Sequence, residues 1–271
     1  MLSTSGCQQY QAYHVFDGLN RTLARQDIRR GEQALANGNE TDAARLFARA
    51  ARRDPRSAVA HANLGDIREA AGDHCAAAEH YRAAVRLAPD DSDYAVALAD
   101  NLRLAADVSL DRRRMLEASA RAYRYVRRLQ PDHFSAAIHL GTVYRELGRL
   151  AQAVRALRDA EQLMPHSAEV HRQLGLTYEA QGKYGAALRE FSIVLRTTPE
   201  DARVHNACGR INLAMNRKTA GDSTIARERA LAHLRKSLQI DADQPGVRSL
   251  LAQLEQQVQA PLADAGQSEG E

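Results

Sequence analysis

Prolines at regular intervals constrain the fold of this chain more than any other feature. Pro55 and Pro89 are 34 residues apart, and the same interval separates Pro131, Pro165 and Pro199. Pro89 and Pro131 are 42 residues apart, so one insertion of eight residues restores the period. A fixed period of this length is the signature of a repeat architecture. The spacing therefore favours an array of similar units over two ordinary domains.

The segments between the prolines share a second pattern. Each contains a Leu-Gly pair, a second Gly seven residues later, a small residue, and a larger apolar residue four positions further on. The set comprises Leu64-Gly65, Leu140-Gly141 and Leu174-Gly175, then Gly72, Gly148 and Gly182, then Ala77, Ala153 and Ala187, and finally Tyr81, Leu157 and Phe191. Apolar residues three and four apart lie on one helix face, a Gly ends a helix, and a Pro cannot continue one. Each unit is therefore predicted to be a helical hairpin that stacks on its neighbours, with Asp90, Asp132 and Asp201 capping the next helices.

These residues resemble the tetratricopeptide repeat (TPR), a helix-turn-helix unit of 34 residues, and the resemblance covers residues 24–259. It implies an all-α fold, a right-handed superhelical solenoid of TPR-like helical hairpins. The expected organisation is a leading segment or helix, about six hairpins with two insertions, a capping helix and a disordered tail. The corresponding ranges are 1–23, 24–244 with insertions near 107–114 and 217–225, 245–260, and 261–271.

The resemblance also implies a function. Such proteins usually act as protein–protein interaction scaffolds that bind a peptide segment or a partner domain on their concave face, with no catalytic residue, cofactor or metal of their own. Projecting the helical period onto the first helix of each hairpin predicts a polar groove, acidic at one end and basic at the other; the alternative is an ordinary solvated surface. The groove residues are Asn63, Asp66, Glu69, Asp100, His139, Arg145, Arg172, Asn206 and Arg210.

Charge and histidine placement bear on two alternatives, a nucleic-acid-associated repeat protein and an unrecognised enzyme. The chain has 37 basic and 34 acidic residues, interspersed, with a net charge of +3, which argues against nucleic-acid binding. His61, His171 and His205 recur at one position of successive units, as repeat packing predicts, and no histidine pair has the spacing of a zinc-hydrolase helix.

The sequence predicts different roles for two of the cysteines, Cys208 and Cys7. Cys208 lies on a predicted core face and is expected to be buried. Gly6-Cys7 looks like the end of a bacterial lipoprotein signal, although no basic region and no apolar stretch precede it. As the chain stands, the expectation is a cytoplasmic protein. If translation starts upstream, Cys7 is instead a lipid-attachment site and the protein is membrane-anchored, facing the periplasm or the cell exterior.

Overall fold

The structure, a computed structural model, describes the backbone of residues 4–218 and 223–265 and the side chains of residues 17–215 and 224–256. Within these ranges it contains 13 helices and no strand, which confirms the all-α fold class. The chain divides into two compact units, Met1–Leu147 and Gly148–Glu271. We call them the N-terminal unit and the C-terminal unit.

Consecutive helices pack against each other along both units, as stacked hairpins require. The N-terminal unit contains α1 (Thr4–Ala36), α2 (Glu40–Arg53), α3 (Ala58–Ala70), α4 (His74–Leu87), α5 (Ser92–Val108), α6 (Arg112–Leu129) and α7 (Phe134–Glu146). The C-terminal unit contains α8 (Leu150–Leu163), α9 (Ala168–Ala180), α10 (Tyr184–Thr197), α11 (Ala202–Lys218), α12 (Ser223–Ile240) and α13 (Pro245–Ala265).

The first and last helices, α1 and α13, extend across the predicted boundaries. α1 runs for 33 residues, so the leading segment and the first helix of the first hairpin form one helix. α13 packs on α12 through Val247 and Leu254, and it continues to Ala265, beyond the predicted boundary at residue 260. Residues 266–271 of the predicted tail lie outside the described residues.

The two insertions lengthen helices. α3, α7 and α9 each have 13 residues, whereas α5 and α11 have 17. Their partners α6 and α12 have 18 residues, compared with 14 in α4, α8 and α10. Each insertion thus adds about one turn to both helices of its hairpin.

A glycine in the left-handed conformation ends the first helix of several hairpins, as the sequence predicts. Gly72 has φ +74°, and the amide of Asp73 donates to the carbonyl of Arg68 at 2.9 Å. The Asp73 side chain then accepts from the amide of Ala76 at 3.1 Å and so caps α4. Two residues therefore end one helix and begin the next.

The predicted caps after the prolines are correct only for Asp201, which accepts from the Val204 amide at 3.1 Å. For α5 and α7 the capping residues are Asp91 and His133, so the predictions of Asp90 and Asp132 were wrong. A turn from Ala88 to Asp91 places Pro89 and Asp90 in its centre, and the cap is the second residue after the proline.

The two helices of a hairpin meet where a first-helix glycine faces a large side chain of the second helix. A Cβ added to Gly175 would lie 2.4 Å from Phe191, and one added to Gly65 would lie 2.9 Å from Tyr81. Both rings are almost completely buried. The absence of a side chain at these glycines therefore sets how closely the helices approach.

Replacing Gly175 by alanine should destabilise the chain by ~1–3 kcal/mol, because the new methyl group overlaps the ring of Phe191. Gly185, on the exposed side of α10, is the matched control, since an added Cβ meets only the flexible end of Arg189 at 3.9 Å. Gly185→Ala should stabilise the helix by ~0.5–1 kcal/mol. Urea unfolding measures both changes. Equal effects at the two positions would contradict this account of the hairpin.

Candidate partner-binding faces

Three predicted groove carboxylates lie together on the first helices of the N-terminal unit. Asp66 and Glu69 belong to α3, and Asp100 belongs to α5. Asp66 is exposed, and the other two are partly buried. We call these three residues the acidic face.

Tyrosine hydroxyls from the second helices hold these carboxylates. The Tyr81 hydroxyl lies 2.6 Å from Asp66 and 2.9 Å from Glu69, so its proton is shared between two carboxylates. The Tyr123 hydroxyl donates to Asp100. Burial, reinforced by the neighbouring carboxylates, raises the pKa of Tyr81 and of Tyr123 above its ordinary value. Both phenols therefore stay protonated and remain donors.

A buried amide completes the arrangement. The side-chain nitrogen of Asn101 donates to Glu69 at 2.8 Å and to the carbonyl of Ala97 at 3.0 Å. The oxygen of Asn101 lies 2.9 Å from Nδ1 of His74. Because Asn101 is fully buried and all its polar atoms have partners, it fixes Glu69 between α3 and α5.

The sequence pattern did not predict these tyrosine contacts. The repeat pattern gives Tyr81 as a larger apolar residue of the hairpin, and its ring is buried. The signal lies in a pairing at equivalent positions of two hairpins. Tyr81 accompanies Asp66, whereas Phe191 accompanies Leu176. The pairing is not general, since the first hairpin combines Glu32 with Phe47 at these positions.

The N-terminal unit contains three further predicted groove residues, Asn63, His139 and Arg145, which differ in burial and in their contacts. The Asn63 side-chain nitrogen is buried and has no hydrogen-bond partner among the described residues. The ring of His139 packs against the ring of Tyr123, with centroids 5.7 Å apart. Arg145 is partly buried in α7.

The predicted groove residues of the C-terminal unit contact their own chain. Arg172 forms ion pairs with Asp201, at 2.8 Å, and with Glu169. Arg210 pairs with Glu179 at 3.0 Å and also contacts Asn206 at 3.4 Å. The positive charges predicted for this end are therefore compensated within the unit.

The recurring histidines hold the turns between hairpins. Nε2 of His171 lies 2.9 Å from the carbonyl oxygen of Pro165, and Nε2 of His205 lies 3.0 Å from that of Pro199. Each histidine thus bonds the proline that ends the preceding unit. This geometry gives them the packing role predicted from their recurrence.

One cluster in the C-terminal unit has the composition of a metal site. Ligand atoms of Glu161, His171 and Glu190 lie within 4.8 Å of one another. The guanidinium of Arg158 donates to Glu161 at 2.6 Å and to Glu190 at 2.9 Å, and it also reaches the Tyr178 hydroxyl at 3.2 Å. Arg158 therefore supplies the cation that these carboxylates need, and we interpret the cluster as an ion-pair network.

Cys208 is 3% exposed, which confirms the prediction that this cysteine is buried. Burial, with a smaller contribution from Glu179, raises the pKa of Cys208 to about 12. The thiol is therefore protonated at neutral pH and unreactive.

Histidine pairs make the stability of both units sensitive to acid. Burial, and then the neighbouring histidine, lowers the pKa of His80 beside His61 and of His233 beside His205. A lowered pKa means that the unfolded chain binds protons more readily than the folded chain below about pH 6.5. The contribution of these two histidines to the free energy of unfolding is therefore fully present above that pH and is lost as the pH falls.

Replacing His80 by glutamine should reduce this loss of stability in acid. Urea unfolding at pH 7.5 and pH 5.5 should show a smaller difference for the variant than for the unmodified chain. His166→Gln, at an exposed position, is the matched control. An unchanged pH dependence in His80→Gln would show that this histidine does not contribute.

Family comparisons agree with the fold. Two tetratricopeptide repeat profiles match the sequence, one over residues 28–92 and 103–168 and the other over residues 144–211. The chain belongs to the tetratricopeptide repeat family. TPR proteins are generally protein-interaction scaffolds without catalytic activity. No curated protein sequence matches this TPR chain.

Several solved structures have a similar fold. MamA is 22% identical over 69% of this chain and 96% of its own, with a TM-score of 0.57. PilF of Pseudomonas aeruginosa is 17% identical over 86% of this chain and 99% of its own, with a TM-score of 0.60. YrrB, described as a TPR protein with an unusual peptide-binding site, is 19% identical over 76% of this chain and 98% of its own, with a TM-score of 0.57. At these identities the likeness establishes the TPR fold alone. In the part of the TPR chain that the structure describes, no helix is long and apolar enough to cross a membrane.

Proposed function

We propose that this TPR protein is a scaffold that binds an extended, cationic segment of a partner protein along the acidic face of its N-terminal unit. The observation that carries the proposal is the state of the three carboxylates. Asp66, Glu69 and Asp100 accept hydrogen bonds from neutral donors, and no ion pair of theirs is found among the described residues. Arg103 interacts with the Tyr123 hydroxyl that bonds Asp100 and so lies close to this carboxylate. The negative charges of Asp66 and Glu69 are thus oriented but not paired with a cation, which suits recognition of lysine or arginine side chains.

The contrast with the C-terminal unit supports this choice of site. Arg172 and Arg210 already bind carboxylates of their own chain, so a partner would have to displace Asp201 or Glu179 to reach them. The prediction that Arg172 and Arg210 form the basic end of a partner-binding groove stays a prediction; in that case they would bind carboxylates of the partner. Replacing both by alanine should weaken partner binding if it is correct, and unchanged affinity would remove them from the site.

Removing the charges at Asp66 and Asp100 should weaken binding of a short, labelled peptide of alternating lysine and serine. Asparagine keeps an oxygen that can accept from the tyrosine hydroxyls. The double variant Asp66→Asn/Asp100→Asn should therefore stay folded and lose about tenfold or more in affinity, measured by fluorescence anisotropy.

The matched control is Asp90→Asn/Asp132→Asn, which changes the net charge equally at two exposed turn residues that do not cap helices. It should change affinity less than twofold, because general attraction between charges is screened by salt. Equal losses in the two double variants would contradict a specific acidic face.

We also propose, from the Gly6-Cys7 pair in the sequence, that the scaffold works in a membrane-associated assembly to which a lipid on Cys7 anchors it. The side chain of Cys7 lies outside the described side chains. Mass determination of the N-terminal peptide from native membranes should reveal an acylated Cys7, and Cys7→Ser should release the protein into the soluble fraction. An unmodified thiol in membrane-purified protein would refute the anchor.

A further inference from the structure

Helix α6 carries a stripe of arginines along one side. Arg114, Arg121 and Arg128 follow one another at intervals of seven residues, or nearly two helical turns, and Arg124 lies beside them. The stripe extends for about 21 Å along the helix axis, given a rise of about 1.5 Å per residue. We call these four residues the arginine stripe.

The arginine stripe is not neutralised by the rest of the structure. None of its four guanidinium groups forms an ion pair with a carboxylate among the described residues, whereas Arg112 pairs with Glu146 at 2.7 Å. The carboxylate of α6 itself, Glu117, lies 3.5 Å from Arg113. Four like charges on one helical side repel one another, so this arrangement costs stability unless a counter-charge joins it.

Two depressions in the protein surface flank Arg121. One has a volume of about 620 Å³ and is lined by Arg127, by Leu140 of α7 and by three residues of the stripe. The other has a volume of about 320 Å³ and lies between α4, α5 and α6. Its floor consists mainly of aliphatic side chains, with Arg82 and Arg121 also among the lining residues. The aliphatic members are Val85, Ala95, Leu98, Leu102, Ala118 and Ala122.

The arginine stripe and the two depressions beside it form a surface that we call the arginine groove. This groove faces away from the acidic face. Leu98 and Leu102 of α5 line the groove, whereas Asp100 of the same helix bonds Tyr123. At about 100° per residue, Asp100 projects from a side of α5 well away from both leucines. A partner bound at the acidic face therefore leaves the arginine groove accessible.

We propose that this groove binds an acidic amphipathic helix from a second partner protein, so that the chain joins two partners of opposite charge. The helix places carboxylates against the arginine stripe and apolar residues in the aliphatic depression. An acidic protein segment fits better than a nucleic acid for two reasons. The chain has a net charge of only +3, and the one aromatic ring lining the aliphatic depression, Tyr125, is covered by Arg128 at 5.2 Å. The proposal goes beyond the cationic segment proposed above and does not depend on it.

The test uses the full chain and a labelled synthetic helix with glutamate on one side and leucine on the other. Binding should be saturable and should weaken by about tenfold or more in Arg114→Glu/Arg121→Glu, because two attractive contacts become repulsive. The matched control, Arg189→Glu/Arg196→Glu, reverses the same charges at the same spacing on exposed positions of α10. It should change affinity less than twofold.

Three results would overturn the proposal. They are the absence of saturable binding, an equal loss of affinity in the control, or tighter binding of a single-stranded oligonucleotide of equal charge than of the peptide. A version of the peptide with alanine in place of leucine should bind at least fivefold more weakly, because alanine keeps the peptide helical but leaves the aliphatic depression unfilled. Thermal unfolding of both double variants verifies that they are folded.

Discussion

The contact between a first-helix glycine and a second-helix ring is the interaction on which the rest of this structure depends. Because Gly65 has no side chain, the ring of Tyr81 lies directly against the backbone of α3. The helices come close enough there for the ring to span the hairpin. Its hydroxyl then emerges on the far side, within hydrogen-bond distance of Asp66 and Glu69. One packing contact therefore builds both the core of this hairpin and the part of the acidic face formed by Asp66 and Glu69.

The predicted groove residues of the two units differ in how far their charges are compensated, and this difference supports the function that we propose. In the C-terminal unit, arginines such as Arg172 and Arg210 are compensated by carboxylates of their own chain. In the N-terminal unit, the acidic face and the arginine stripe keep their charges available on separate helices. A scaffold gains specificity from such uncompensated, oriented charges, since a partner of the wrong sign is repelled. The distribution suits a protein that joins two partners.

The sequence predicted the hairpins well because each local signal agreed with the period. The turn at Gly72 is an example. Prediction failed where the outcome depended on contacts between distant residues. The partner of Arg172, Asp201, lies 29 residues away, and no helical projection reveals that pairing. The tyrosine hydroxyls were missed for a similar reason, since a buried ring and a hydrogen-bonding tip have the same repeat position. The caps were wrong by one residue at Asp90 because the turn geometry, and not residue type, selects the capping position.

The central claim is that the acidic face on α3 and α5 recognises a cationic segment. Amide hydrogen exchange, with and without a saturating lysine-rich peptide, measures this recognition without any substitution. We expect added protection in α3 and α5, around Asp66, Glu69 and Asp100, and none in α6. Saturable binding with protection confined to α6, or with no protection in the N-terminal unit, would contradict the account.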